Sequence, residues 1–117
     1  MVKILVVEDD RNLNKSICLF LEQRGYEPQG CFDGEEALDM LYKTAFNLII
    51  SDIMMPKVDG YKLLENVRKL DKDIPFIFMT AKEDFPSKQK GFNAGVDAYL
   101  VKPVDLQERY LRVNALL

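Results

Sequence analysis

Two short runs, Lys3-Ile4-Leu5-Val6-Val7 and Asn47-Leu48-Ile49-Ile50-Ser51-Asp52, are apolar at consecutive positions rather than at alternate ones. A strand of that kind must be covered on both faces. Sheets built from such strands are parallel, with helices above and below. The rest of the chain fits that demand. After the first run, Leu13, Ile17, Phe20 and Leu21 recur at the spacing of one helix face, and Gly25 is the expected stop. Tyr26 to Phe32 reads as a weaker strand, and Pro28 within it suits an edge. Asp33 is placed to cap a helix through Ala37, Leu38 and Leu41. Met54 to Gly60 reads as a loop, and Tyr61 to Leu70 as a helix with Leu63, Leu64 and Val67 inward. Ile74 to Met79 is the fourth expected strand, ending at Thr80-Ala81. A short fourth helix should lead to Gly95, Ala98 to Val101 should form the fifth strand, and a last helix should start near Asp105. Five strand–helix units with right-handed crossovers give an α/β fold, a parallel sheet with helices on both faces.

Composition narrows the chemistry. The 117 residues suffice for one domain, expected over 1–117, and not for two. A net charge of −3 speaks against a nucleic-acid footprint on this domain. No apolar run approaches the roughly 18–20 residues of a membrane span, and the first segment turns acidic too early for a signal peptide, so a cytoplasmic location is expected. Cys18 and Cys31 are too few and too far apart for a zinc site or a disulfide scaffold, and read as thiols in a reducing compartment. The chain has no histidine, which removes Ser-His, Cys-His and His-metal chemistry. What remains is carboxylates, hydroxyls, lysine, backbone or a hard metal ion.

In open parallel sheets, ligands bind beyond the carboxyl ends of the strands, where strand order reverses. The residues at those ends are Glu8, Asp9, Asp52, Thr80 and Lys102. Singly, each has a plainer reading: a strand-end carboxylate that caps the next helix, or a Thr or Lys on a solvated loop. Together they bring three carboxylates, a hydroxyl and an ammonium to one crevice. Clustered carboxylates repel one another, and a divalent cation is the usual compensation. Oxygen ligands without His or thiolate point to Mg²⁺, which keeps several waters and suits phosphoryl transfer. An aspartate can itself be the nucleophile and form an acyl phosphate. The chain carries neither GxxxxGK[ST] nor, after the first strand, GxGxxG.

At these residues the chain resembles the receiver domains of bacterial two-component response regulators. The resemblance rests on Val6-Val7-Glu8-Asp9-Asp10, on Ile50-Ser51-Asp52-Ile53-Met54-Met55-Pro56 with Asp59-Gly60, on Met79-Thr80-Ala81, and on Gly95 to Pro103. It implies a doubly wound, flavodoxin-like three-layer sandwich with strand order 2-1-3-4-5, two helices on one face and three on the other. It further implies Asp52 as phosphoacceptor, Asp9 as direct Mg²⁺ ligand with Glu8 acting through water, and the Met54 backbone carbonyl as the third protein ligand. Thr80 and Tyr99 would be the switch pair. Lys102 would meet the phosphoryl group, aimed by a cis bond before Pro103. The implied partner is a sensor histidine kinase. Met54 and Lys82 would tune the lifetime of the phosphoryl group. The protein would catalyse its own phosphorylation and dephosphorylation without being a conventional enzyme.

The tail from Lys102 to Leu117 is similar to that of winged-helix transcriptional regulators, which pair through the face of the fourth helix, fifth strand and fifth helix. Lys88, Glu108 and Arg112 match residues of that dimer face, whereas Ala98 and Val104 replace the Asp and Phe usual there. Pro86 suggests an altered or short fourth helix. DNA would be reached only through an output domain after residue 117; a stand-alone receiver is the alternative. Three rival readings stay in view. A haloacid-dehalogenase-type hydrolase would want Asp-x-Asp at the end of the first strand. A flavin carrier would want a hydroxyl-rich phosphate loop where Glu8-Asp9-Asp10 stands. The third is a receiver that is never phosphorylated.

Overall fold

The computed structural model describes residues 1–55, 58–70, 73–81 and 97–102, with only the strand backbone for 80, 81 and 98–102. In chain order these form β1 (Lys3–Val7), α1 (Arg11–Gln23), β2 (Glu27–Cys31), α2 (Gly34–Lys43), β3 (Leu48–Asp52), α3 (Gly60–Leu70), β4 (Phe76–Ala81) and β5 (Ala98–Lys102). The strands make one parallel sheet in the order β2-β1-β3-β4-β5, as the resemblance implied. The expected fourth and last helices lie outside the described residues.

Alternate residues of each central strand feed two separate cores. Leu5, Val7, Ile49, Phe76 and Phe78 face α2 and α3, where Ala37, Leu63, Leu64 and Val67 meet them. Ile4, Val6, Leu48, Ile50, Ile77 and Met79 face the other way, onto Ile17 and Leu21 of α1. Because side chains alternate across a strand, a run buried on both faces has to be apolar at every position. β2 is the exception that its sequence announces. It lies at the sheet edge, and Glu27 donates its N–H inward to Val2 O at 2.8 Å. Pro28, one residue on, therefore turns its nitrogen to the open edge, where no ladder donor is needed.

Element ends follow local chemistry. α1 stops in a Schellman arrangement: Tyr26 N–H donates to Leu21 O and Gly25 N–H to Glu22 O, with Gly25 at φ 88°. Asp33 caps α2 by accepting from Glu36 N–H at 2.8 Å. Asp10 caps α1 by accepting from the N–H groups of Asn12 and Leu13 at 3.0 and 3.1 Å. Asp10→Ala should lower stability by about 1 kcal/mol, read as a drop of a few degrees in thermal midpoint; an unchanged midpoint would remove the cap from the account of this turn.

Both thiols are free. Burial, with Glu22 nearby, pushes Cys18 up to about 11; burial, with Glu36 and Asp33 nearby, pushes Cys31 up to about 12. A group whose folded pKa is raised holds its proton more firmly in the folded state. Its contribution to stability is full below the unfolded value near 9 and is lost as pH rises toward the folded value. Stability should therefore decline from about pH 9 upward. Near neutral pH, iodoacetamide should leave the native thiols largely unmodified and label both in denaturant; fast native labelling would contradict this placement.

Candidate functional site

β1 and β3 are neighbours with a common direction, so their carboxyl ends open on the same side of the sheet. β1 continues into Glu8-Asp9-Asp10, and β3 ends at Asp52. One carboxylate oxygen each from Glu8, Asp9 and Asp52 lies within 4.8 Å of the others. Glu8 is 0% exposed and Asp52 7%, whereas Asp9 is open to solvent. Two buried acids beside a third, exposed one form a concentrated negative site that reaches solvent through Asp9.

The cluster is held by backbone. Glu8 N–H donates to Cys31 O at 3.1 Å, and the Glu8 carboxylate accepts from Asp10 N–H at 3.1 Å. Asp10 thus caps the helix while its backbone orients the acid two residues before it. Past β3, Ile53 N–H donates to Met79 O at 3.2 Å, and Gly60 N–H donates to Ile53 O at 2.7 Å, closing the β3–α3 turn. A Cβ on Gly60 would stand 2.6 Å from Asp52 O and 2.7 Å from Ile53 Cα, so only glycine lets α3 start this close to the acid. Asp59, expected as loop, accepts from Lys62 N–H at 2.9 Å and fixes the first turn of α3.

Register carries the remaining strand ends to the same side. Asp52 pairs with Met79, so Thr80 is the next residue of the adjacent strand; Thr80 pairs with Val101 and Ala81 with Lys102. Met79 and, on the next strand, Leu100 are level with Asp52, so the backbone carries Thr80 one residue and Lys102 two residues beyond that level, toward the same end of the sheet. Tyr99 sits further back, paired with Phe78. Met54 is 66% exposed just beyond Asp52. Lys82, Pro86, Lys88, Pro103, Val104, Glu108 and Arg112, and with them the expected cis bond and dimer face, lie outside the described residues.

Two groupings escaped the sequence reading. Asn14 lies buried on the inward face of α1 beside Ile17 and Leu21, a polar residue at a core position. Arg68 at the end of α3 donates to Ile74 O and to Asp97 Oδ2, while Asp97 accepts from Phe76 N–H at 2.8 Å. This clamp ties α3 to the starts of β4 and β5 at the opposite end of the sheet. Asp97 lies within the segment from Gly95 to Pro103, but nothing local marks it as the partner of a residue 29 positions away.

The acid cluster suits a hard divalent cation by donor type: carboxylate oxygens only, one of them facing water. Among the described residues no helix is long and apolar enough to cross a membrane.

Comparison with known proteins agrees with this arrangement. Residues 4–114 match the family described as the response regulator receiver domain. The response regulator MprA of Mycobacterium tuberculosis is 38% identical over 116 residues, covering 99% of this chain and 50% of its own length. The transcriptional regulatory protein CiaR of Streptococcus pneumoniae is 41% identical over 117 residues, covering 100% of this chain and 52% of its own. The chain thus spans about half the length of the curated relatives it matches. Among solved structures, the receiver domain of the Francisella response regulator 1452 superposes with TM-score 0.91 at 35% identity, covering 99% of this chain and 96% of that one. The Vibrio cholerae chemotaxis protein CheY4 gives 0.94 at 31% identity, covering 100% and 99%.

Proposed function

This chain belongs to the response regulator receiver domain family, and from that premise we propose that it is a phosphorylation switch whose acceptor is Asp52. The observation that carries the reading is the convergence of Glu8, Asp9 and Asp52 at the shared end of β1 and β3. Asp9, Asp52 and the Met54 backbone carbonyl would hold Mg²⁺ directly, and Glu8 through water. When bound, the cation neutralises charge gathering on the phosphoryl oxygens.

The chain's own residues do the rest. An Asp52 carboxylate oxygen attacks the phosphorus of a phosphohistidine on a sensor histidine kinase, in line with the P–N bond; the P–O bond forms as the P–N bond breaks, and the pair leaves on the imidazole. Thr80 donates its hydroxyl to one phosphoryl oxygen, and the Lys102 ammonium pairs with another. Drawing Thr80 inward makes room for Tyr99 and shifts a two-state equilibrium on the face that includes β5. Hydrolysis of the acyl phosphate resets the switch, and Met54 and Lys82 are proposed to tune its rate. The greater length of the relatives, and the name of one of them as a transcriptional regulatory protein, support an output domain that acts on DNA; pairing of two copies through Lys88, Glu108 and Arg112 is proposed from the resemblance of the tail alone. Exposed ion pairs of that type are each worth about 0–1 kcal/mol, so the pairing would be weak where Ala98 and Val104 replace stronger groups. Such a regulator would work in the cytoplasm.

Incubation with acetyl phosphate and Mg²⁺, followed by intact mass, should show one added phosphoryl group, lost when EDTA is present; no adduct under any condition would leave the third rival, an unphosphorylated module. Mg²⁺ should also raise the thermal midpoint. At about ten times its dissociation constant, a cation that binds only the folded state adds about 1.4 kcal/mol, a few degrees for a domain of this size. No shift up to high millimolar Mg²⁺ would argue against the cation site.

A further inference from the structure

The buried polar side chains among the described residues are Glu8, Asn14, Ser51 and Asp52. Three lie at the ends of β1 and β3. The fourth, Asn14, comes from α1 and is 3% exposed on the face it shares with Ile17 and Leu21. An apolar residue would serve the helix there without desolvating an amide, so the amide has to be accounted for by its bonds. Its Nδ2 donates to Cys31 O at 2.9 Å and to Glu8 O at 3.1 Å, with Val6 O at 3.5 Å; its Oδ1 accepts from Cys18 Sγ at 3.5 Å. Cys31 O is also the acceptor for Glu8 N–H. Glu8 is consequently fixed from three directions: its N–H by β2, its carbonyl by α1, and its carboxylate by Asp10 N–H. Gly30 keeps the space open, because a Cβ there would collide with Asn14 Oδ1.

We infer that Asn14 is a positioning residue for the acid cluster. By bonding the Glu8 and Cys31 carbonyls it locks the turn after β1, and through that turn sets where the oxygens of Glu8 and Asp9 stand relative to Asp52. The inference rests on the reading of Glu8, Asp9 and Asp52 as the Mg²⁺ site. Partners that orient metal ligands typically matter by about 10–100-fold in metal affinity, and that is the effect expected here.

The test is calorimetric titration of the unphosphorylated protein with Mg²⁺ alone. Asn14→Leu keeps the branching and the number of side-chain heavy atoms but removes the donors, and should weaken Mg²⁺ binding by about 10–100-fold. Gly30→Ala displaces the amide without altering residue 14 and should weaken it likewise. The double variant should bind no more weakly than Asn14→Leu, because both changes act on one group. Leu21→Ala, further along the same helix, should lower the thermal midpoint and leave Mg²⁺ affinity unchanged. An Asn14→Leu protein that folds and binds Mg²⁺ as the parent does overturns the inference. If that variant does not fold, parent-like binding by Gly30→Ala overturns it. A loss in Leu21→Ala equal to that in Asn14→Leu overturns it too, since general loosening would then explain both. A parent that binds no Mg²⁺ would sink the cation-site reading itself and this inference with it; parent binding with unaffected variants sinks the inference alone.

Discussion

Asp52→Asn should abolish the phosphoryl adduct, reducing its formation by on the order of 10²-fold or more, while leaving the fold intact. The amide has the shape of the carboxylate and ends β3 in the same place, so the bonds of Ile53 to Met79 and of Gly60 to Ile53 have no reason to change. What it lacks is an anionic oxygen able to attack phosphorus. Asp52 is 7% exposed and shares its pocket with Glu8 and Asp9. Replacing one of three crowded carboxylates by a neutral amide should also raise the thermal midpoint in metal-free buffer and flatten its dependence on Mg²⁺. Intact mass after acetyl phosphate treatment and a thermal melt with and without Mg²⁺ read both effects. A full adduct on the Asp52→Asn variant would move the acceptor elsewhere.

Phe78→Ala should cost about 3–5 kcal/mol, a large part of the roughly 5–15 kcal/mol available to a domain. Phe78 is fully buried in the core shared with α2 and α3. Its ring meets Phe76 at a centroid distance of 5.3 Å and Tyr61 at 5.2 Å, both edge-on, an arrangement that adds to area burial. It also lies against Gly60, so the ring that fills this core supports the start of α3 and the turn beside Asp52. Urea unfolding should show the loss as a lower midpoint with an unchanged slope. A loss under about 1 kcal/mol would mean that the surrounding side chains collapse into the space, and would demote Phe78 as an anchor.

The two predictions share a cause. The acid pocket has little structure of its own; it is where strands built for burial run out. β3 is buried at every position, including the acid that ends it. Its last residue is held by neighbours whose main business is packing: Gly60 lies against both the Phe78 ring and the backbone of Asp52.

Much of this was legible in the residues alone. Consecutive apolar positions in β1 and β3 demand cover on both faces, so a parallel sheet between helices followed from local pattern. A common strand direction then brings Glu8, Asp9, Asp52, Thr80 and Lys102 to one side, since every strand ends there. Pro28 marked an edge and Gly25 a helix end, because each is decided by one backbone unit and its nearest neighbours. The limits of β2 were less sharp: Tyr26 and Phe32 fall outside the observed strand, where pairing with β1 ends at Glu27 and Cys31. Pairing length depends on the partner strand, which a local window does not contain.

Tertiary structure decided the division of labour among the acids. Glu8, Asp9 and Asp10 are adjacent and chemically alike, yet one is buried in the cluster, one faces solvent within it, and one caps α1. That split comes from the angle at which the chain leaves β1, set by bonds to β2 and α1. The same holds for Asn14, whose partners Glu8 and Cys31 stand at the ends of two different strands, and for Arg68 with Asp97. Periodicity and capping act over a few residues and can be read along the chain. Which buried donor meets which distant carbonyl is fixed only when register and packing are, and that is where the sequence by itself stops determining the site.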